Sequence, residues 1–264
     1  MPFPPSSRYI YTKNPLIRVI CQLRFPPILR IDSEIPSLFQ ERIQGHYPEY
    51  EEKKEHQREV AFDVNGKFDP ESIRTKSSES KNHEFTSEDG AWRLNLTRNF
   101  LSISTPKYER WEGLTDCFQP ALAALQEIYS PPFFTRLGLR YVDIFDRSIL
   151  GESKTPWSEL LNPNILGLVA SDLAEEINNS ETVNEVDLGN SNVVRIASRI
   201  VVNASNSRKC IEVDSDFHNT TRTKCEDAWG KLNNLHQFAT DQIQWIIQPK
   251  LHTAMGPQKI LSAG

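Results

Sequence analysis

The chain has 264 residues, enough to bury a sizeable core as one large domain or two small ones. Its 30 Lys and Arg against 35 Asp and Glu leave a formal charge of -5, which excludes a partner held by bulk positive charge and confines any nucleic-acid role to a local patch. Cys21, Cys117, Cys210 and Cys225 are widely spaced with no Cys-x-x-Cys pair, so neither a zinc knuckle nor a disulfide framework is indicated.

Free thiols fit a reducing, cytoplasmic setting. The start of the chain lacks an apolar leader, and no run of about 18 apolar residues occurs, so no membrane segment is expected. After a Pro-rich leader, Ile17, Val19, Cys21, Leu23 and Phe25 alternate with polar residues and predict a strand ended by Pro26 and Pro27. Ser33 is placed to cap a helix carrying Ile35, Leu38, Phe39, Ile43 and Tyr47 at helical spacing, with Pro36 in its first turn. The run EYEEKKEHQRE is charged on all sides and reads as a solvated continuation or loop, and the polar stretch from Val60 to Asn82 as a mobile insertion. Asp89-Gly90 predicts a two-residue hairpin; Trp92, Leu94 and Leu96 share one strand face, and a turn at Arg98-Asn99 leads to a strand holding Leu101 and Ile103. Trp111, Leu114, Phe118, Ala121, Leu122, Leu125 and Ile128 then form the stripe of a long amphipathic helix, stopped by Pro131 and Pro132.

The stretch from Phe133 to Phe145 is the expected central strand of the first half, with Leu137, Leu139, Tyr141 and Phe145 inward and Arg136 and Arg140 outward. Beyond the polar run through Pro156 the chain changes halves. Trp157 to Leu161 and Ser171 to Ile177 suggest short helices. Val194, Ile196, Ile200 and Val202 alternate with Arg195 and Arg199 in one strand; the next turns Ile211, Val213 and Phe217 inward and Glu212, Asp214, Asp216 and His218 outward. A last long helix carries Ala228, Trp229, Leu232, Leu235, Ala239, Ile243 and Ile246 until Pro249, followed by a frayed tail. The expected fold class is α+β: two consecutive α/β units, residues 1–150 and 151–264, each an antiparallel sheet covered by a long amphipathic helix, docked as one compact body.

Four stretches carry a family resemblance: NPLIRVICQLRFPP at Asn14 to Pro27, Tyr108-x-x-Trp111, RLGLRYVD at Arg136 to Asp143, and IEVDSD at Ile211 to Asp216. In these the chain resembles a sporadically distributed, functionally uncharacterised bacterial protein family of about this length, over nearly the whole of Asn14 to Ile247. The family more often has Asn where Asp143 stands. The resemblance implies an accessory gene, in the manner of defence or toxin-related loci, and brings no known catalytic residues.

Three constellations invite a chemical reading. Arg18, Arg24, Arg93, Arg136 and Arg140 all lie opposite in phase to their strands' apolar residues, so neighbouring strands would gather them on one face able to bind carboxylate or phosphate; alternatively they pair with nearby acids. Asp214-x-Asp216-x-His218 sets two carboxylates and an imidazole on one strand face, a row that suits either a divalent metal in a hydrolase or nuclease, or cross-strand pairing with Arg195 and Arg199. Cys225 stands near the start of the last helix, where the helix dipole could lower its pKa, but no partner base is evident and an ordinary buried or half-buried thiol is the plainer reading. Hydrolase-elbow, phosphate-loop and dinucleotide fingerprints are missing from the sequence. The leading expectation is therefore a non-enzymatic binding or regulatory protein without cofactor, using its arginine face or the groove between its halves. Its partner would be a protein encoded by a neighbouring gene, an acidic ligand or a nucleic acid, with a small-molecule sensor as the further alternative.

Overall fold

The computed structural model describes residues 2–55 and 80–259. Its first half contains β1 (Tyr9–Tyr11), β2 (Leu16–Arg24), α1 (Arg30–Ser33), α2 (Ser37–Ile43), β3 (Glu49–Glu55), β4 (Ser80–Thr86), β5 (Arg93–Thr97), β6 (Phe100–Thr105), α3 (Trp111–Tyr129) and β7 (Arg136–Phe145). The second half adds α4 (Arg147–Leu150), α5 (Trp157–Leu160), α6 (Pro163–Leu166), β8 (Glu181–Gly189), β9 (Asn192–Asn203), β10 (Arg208–Asn219), α7 (Ala228–Ile246), α8 (Pro249–Ala254) and β11 (Pro257–Lys259). The architecture is α+β: one antiparallel nine-stranded sheet in the order β3-β4-β5-β6-β2-β7-β10-β9-β8, and a two-stranded sheet of β1 and β11. β7 sits between β2 and β10, so the strands of both halves are hydrogen-bonded into one sheet.

Period-two alternation explains the core. Phe85, Leu94, Ile103, Cys21, Leu139, Phe217 and Val194 follow one another across the sheet in register, and all are fully buried. Such a row forms because each strand keeps its apolar phase on the same side; a slip of one residue would turn the whole set to solvent. The predicted stripes of α3 and α7 cover this inner face, with Leu114, Phe118, Leu125, Leu232 and Leu235 fully buried. The two helices touch through aromatic rings: Trp229 meets Trp111 edge-on at 6.5 Å and Phe118 at 6.2 Å. α2 anchors on α3 through the Tyr47 hydroxyl, which donates to the Cys117 carbonyl at 2.7 Å.

Several local expectations change. Ser33 ends α1 instead of capping a longer helix; Pro36 precedes α2, and Ile35 and Leu38 are exposed, so only Phe39, Ile43 and Tyr47 of that stripe are core. Of the charged run read as a solvated continuation or loop, Glu49–Glu55 is the edge strand β3, held by the backbone ladder to β4 and by Lys53 on Glu84 at 2.8 Å, since charge suits an edge with one free side, and residues 56–59 lie outside the described residues. Of the expected mobile insertion, residues 60–79 lie outside the described residues, and Ser80 to Asn82 open β4. The connection at Asp89-Gly90 spans 87–92, because Asp89 accepts from the Ser87 hydroxyl and the Ala91 amide and closes a wider turn, with Gly90 at φ +66°.

The turn at Arg98-Asn99 is as predicted. Ser171 to Ile177 is a series of turns, and β8 was not foreseen, its mixed polar sequence carrying little alternation. Val202 stands 61% exposed where β9 runs past the helices. As far as residue 259 the expected frayed tail is ordered: Pro249 opens α8, Leu251 and Met255 are fully buried, and β11 pairs with β1; residues 260–264 lie outside the described residues. Proline stops α7 but suits the first turn of the next helix, where its missing N–H costs nothing.

Candidate functional site

The arginines share one face of the sheet, opposite the helices. Arg93 of β5, Ser104, Ile20, Arg140 of β7, Asp216, Arg195 and Glu185 follow one another in register, and Arg24 lies directly across from Arg136. This face is open to solvent at Arg18, Arg24, Arg93, Arg140 and Arg195. Several of its charges are already spent on one another. Arg136 donates to both oxygens of Asp216 at 2.8 Å, Arg140 Nε donates to Asp214 at 2.7 Å, and Arg93 Nε lies 3.2 Å from Glu84.

Arg199 reaches Glu212 at 2.7 Å and Asp214 at 3.2 Å, so Asp214, only 3% exposed, sits between two guanidinium groups. The Asp214 carboxylate in turn holds the Arg140 guanidinium above its ordinary pKa. Gly138 makes room for the Arg136 pair, because a Cβ there would stand 2.1 Å from an Arg136 nitrogen. Arg24 donates to Gln22 at 2.9 Å, and no ion pair involves Arg18 or Arg24 among the described residues. Arg18, Ile20, Arg140, Val142, Arg199, Val201, Glu212 and Asp214 line a shallow concavity on this face.

Asp214-x-Asp216-x-His218 does lie in one outward row, but both carboxylates are engaged by arginine. No group of three or more His, Cys, Asp or Glu among the described residues is placed to hold a metal ion. Arg199 makes the pairing the spacing suggested, whereas Arg195 faces an Asp216 already taken by Arg136. Cys225 precedes α7 and is half-buried, its Sγ 3.3 Å from the Pro131 carbonyl; burial pushes its thiol up, in keeping with an ordinary half-buried thiol.

A second site lies on the helix side of the sheet. Asp143 is in phase with Leu137, Leu139, Tyr141 and Phe145, so its carboxyl turns inward under α7. There it joins the floor of a cleft walled by β1, the end of β7, the segment before α3, and α7. Tyr141, Asp143, Ala239, Gln242 and Met255 are buried at the floor, while Ile10, Asn14, Glu109 and Arg110 are exposed at the rim. Asp143 is 7% exposed and has no hydrogen-bond or ion-pair partner among the described residues. Burial alone pushes its carboxyl up to about 7.

Around it the polar groups are satisfied in pairs. Arg8 grips Glu112 through two bonds of 2.8 and 3.2 Å, which holds the Glu112 carboxyl down at about 2. Tyr11 contacts His252 and accepts from Gln244, both at 2.8 Å, and Gln242 donates to Ser215 at 2.8 Å. His236 Nδ1 lies 3.0 Å from the Tyr141 hydroxyl, and its ring stacks on Trp111 at 4.7 Å. Burial first, then the Arg8 charge, lowers His236 to about 4, so the imidazole is neutral near pH 7. Its Nε2 and the Trp229 Nε1 are buried without partners.

The sequence signal for this cleft was a carboxylate in the inward phase of a central strand, together with a histidine bordering the α7 stripe. What brings them together is the crossing of β7 under α7, which no spacing in the chain reports. No helix among the described residues is long and apolar enough to cross a membrane. No family model matches the chain, and a search of curated proteins found no match either.

Proposed function

We propose that the protein is a non-enzymatic binding or regulatory protein whose ligand site is the cleft under α7. The cleft is the groove between the halves: 1–150 supplies Arg8, Tyr108 and Asp143, and 151–264 supplies α7. The carrying observation is the Asp143 carboxyl, buried on the cleft floor without a partner. Burying a carboxylate unpaired costs several kcal/mol, which makes a carboxyl perturbed by burial in a cleft a candidate binding group. Mass spectrometry of the purified, denatured protein is expected to release a small molecule, and a cleft-filling Ile243→Trp variant to release none. Absence of any bound compound, with no thermal shift from a fragment library, would sink the reading.

The two-unit layout belongs to the same proposal, each half giving the sheet a set of strands and one long covering helix. So does the likeness to the sporadic bacterial family, carried by Asn14 to Pro27, Tyr108, Trp111, Arg136 to Asp143 and Ile211 to Asp216. Four free cysteines, Cys21 and Cys210 buried among them, suit a cytoplasmic setting.

A second reading rests on Arg18 and Arg24, exposed on the open sheet face and outside its ion pairs. There the face would dock an acidic protein, such as the product of an adjacent gene. Arg18→Glu combined with Arg24→Glu spares the Asp214 network, and it is expected to abolish capture of that product in a pull-down. Unchanged capture removes this reading.

A further inference from the structure

The charge around the cleft is nearly balanced, and the imbalance identifies its ligand. Arg8 from the N-terminal segment is neutralised by Glu112 of α3, and the exposed rim carries one charge of each sign, Glu109 and Arg110. Facing inward from α7, His236 is neutral near pH 7, its value lowered to about 4. Burial raises the hydroxyls of Tyr108, Tyr141 and Tyr11, so they too stay uncharged. His252 of α8 is turned onto Tyr11. Among the described residues of the cleft wall, Asp143 is thus left as a buried carboxyl with no cation paired to it, and its oxygens as acceptors without donors. Beside it stand aromatic faces, Tyr108 edge-on to Tyr141 at 5.9 Å, and the apolar side chains of Leu16, Ile243 and Met255.

A binding site complements what it leaves unpaired. An anion would meet a buried carboxylate, and a neutral apolar molecule would seal it away from water; both lose several kcal/mol against a ligand that pairs it. A cation gains the ion pair, charge-assisted N–H donation and attraction to the tyrosine faces together. We propose that the cleft binds a small organic monocation, an amine with an aromatic or apolar body, whose ammonium group pairs with Asp143. The proposal rests on the reading of the cleft as a binding site. It also makes binding proton-linked: the cation selects the ionised carboxylate, so complex formation near neutral pH drives the Asp143 proton into solution.

The test uses three probes of one shape: phenethylammonium, 2-phenylethanol and phenylacetate. Each is titrated into the full chain while the backbone amide signals of Asp143, Gln242 and Ile243 are followed by NMR. Phenethylammonium is expected to bind at least about tenfold more tightly than the alcohol above pH 7, and to weaken by about tenfold per pH unit below it. In Asp143→Asn, an isosteric change whose melting temperature verifies folding, both the preference for the cation and the pH dependence should vanish while the alcohol binds as before. If the alcohol or the acid is preferred, or the cation preference survives in Asp143→Asn, the cation assignment is overturned and the cleft reading stands. If no probe moves the cleft signals at millimolar concentration, both fall.

Discussion

At Asp143 the periodicity of β7 places a carboxyl where its neighbours in phase are leucine, tyrosine and phenylalanine. Its folded value near 7 lies above that of an unfolded aspartate, so between about pH 4 and 7 the folded state holds more protons than the unfolded state. Stability from this group therefore falls as pH rises through that window. His236, lowered to about 4, acts in the opposite sense: the unfolded chain binds the proton first, and stability falls as pH drops from about 6.5 to 4. The two slopes offset one another in the wild type. Asp143→Asn should expose the histidine slope, with a melting temperature that drops more steeply on acidification, and His236→Gln should expose the aspartate slope, with stability rising on acidification. Thermal melts at several pH values check both, and identical profiles for all three proteins would contradict them.

The ion pairs on the outer face weigh differently. Arg140 is 46% exposed at its side chain, so solvent screening keeps its pair with Asp214 modest, yet removing Asp214 leaves two guanidinium groups facing each other. Asp214→Ala is expected to cost about 1–3 kcal/mol in urea denaturation, whereas Arg18→Ala should stay within about 0.5 kcal/mol.

Among the elements, β7 is paired on both edges and covered on one face by α7. Leu139 lies mid-strand in the inner row, between Cys21 and Phe217, and is fully buried. Leu139→Ala should lose about 2–5 kcal/mol in denaturant unfolding, because removed methyl groups leave a cavity that paired strands cannot collapse. One residue away, Gly138 serves the opposite face by giving the Arg136 guanidinium its place over the strand. The long helices were legible because their stripes run through five turns. The turn expected at Trp157 to Leu161 is α5, but the short pieces α4 and α6 offer too few residues for periodicity to speak, and β8 and β3 are edge strands whose ladders, not their side chains, define them.

Across the whole molecule, the two halves share a sheet through β7 and β10 and a cleft under α7. Residues 1–150 expressed alone would leave the β7 edge unpaired and Leu139 and Tyr141 without α7 above them. That fragment is expected to aggregate or to lack a cooperative thermal transition by circular dichroism, and a soluble, sharply melting fragment would contradict this. β11 pairs with β1, and the Tyr11 hydroxyl joins β1 to Gln244 and His252, which holds β1 in place as one wall of the cleft.

By itself the sequence determined what is local or periodic: the inward residues of β2 from Val19 on, though not the exposed Ile17, those of β7 and β10, the stripes of α3 and α7, the turn at Arg98-Asn99, and the outward phase of Arg18, Arg24, Arg93, Arg136 and Arg140. A strand's period sets which side a residue faces without reference to its neighbours. Tertiary structure decided which strands are neighbours, and with that the outcome for those arginines, since Arg136 and Arg140 meet carboxylates from β10 about 75 to 80 positions later in the chain. It also decided the meaning of Asp143. The pattern shows an inward carboxyl, but only the packing of α7, β1 and the segment before α3 around it leaves that carboxyl buried, unpaired and facing a cleft.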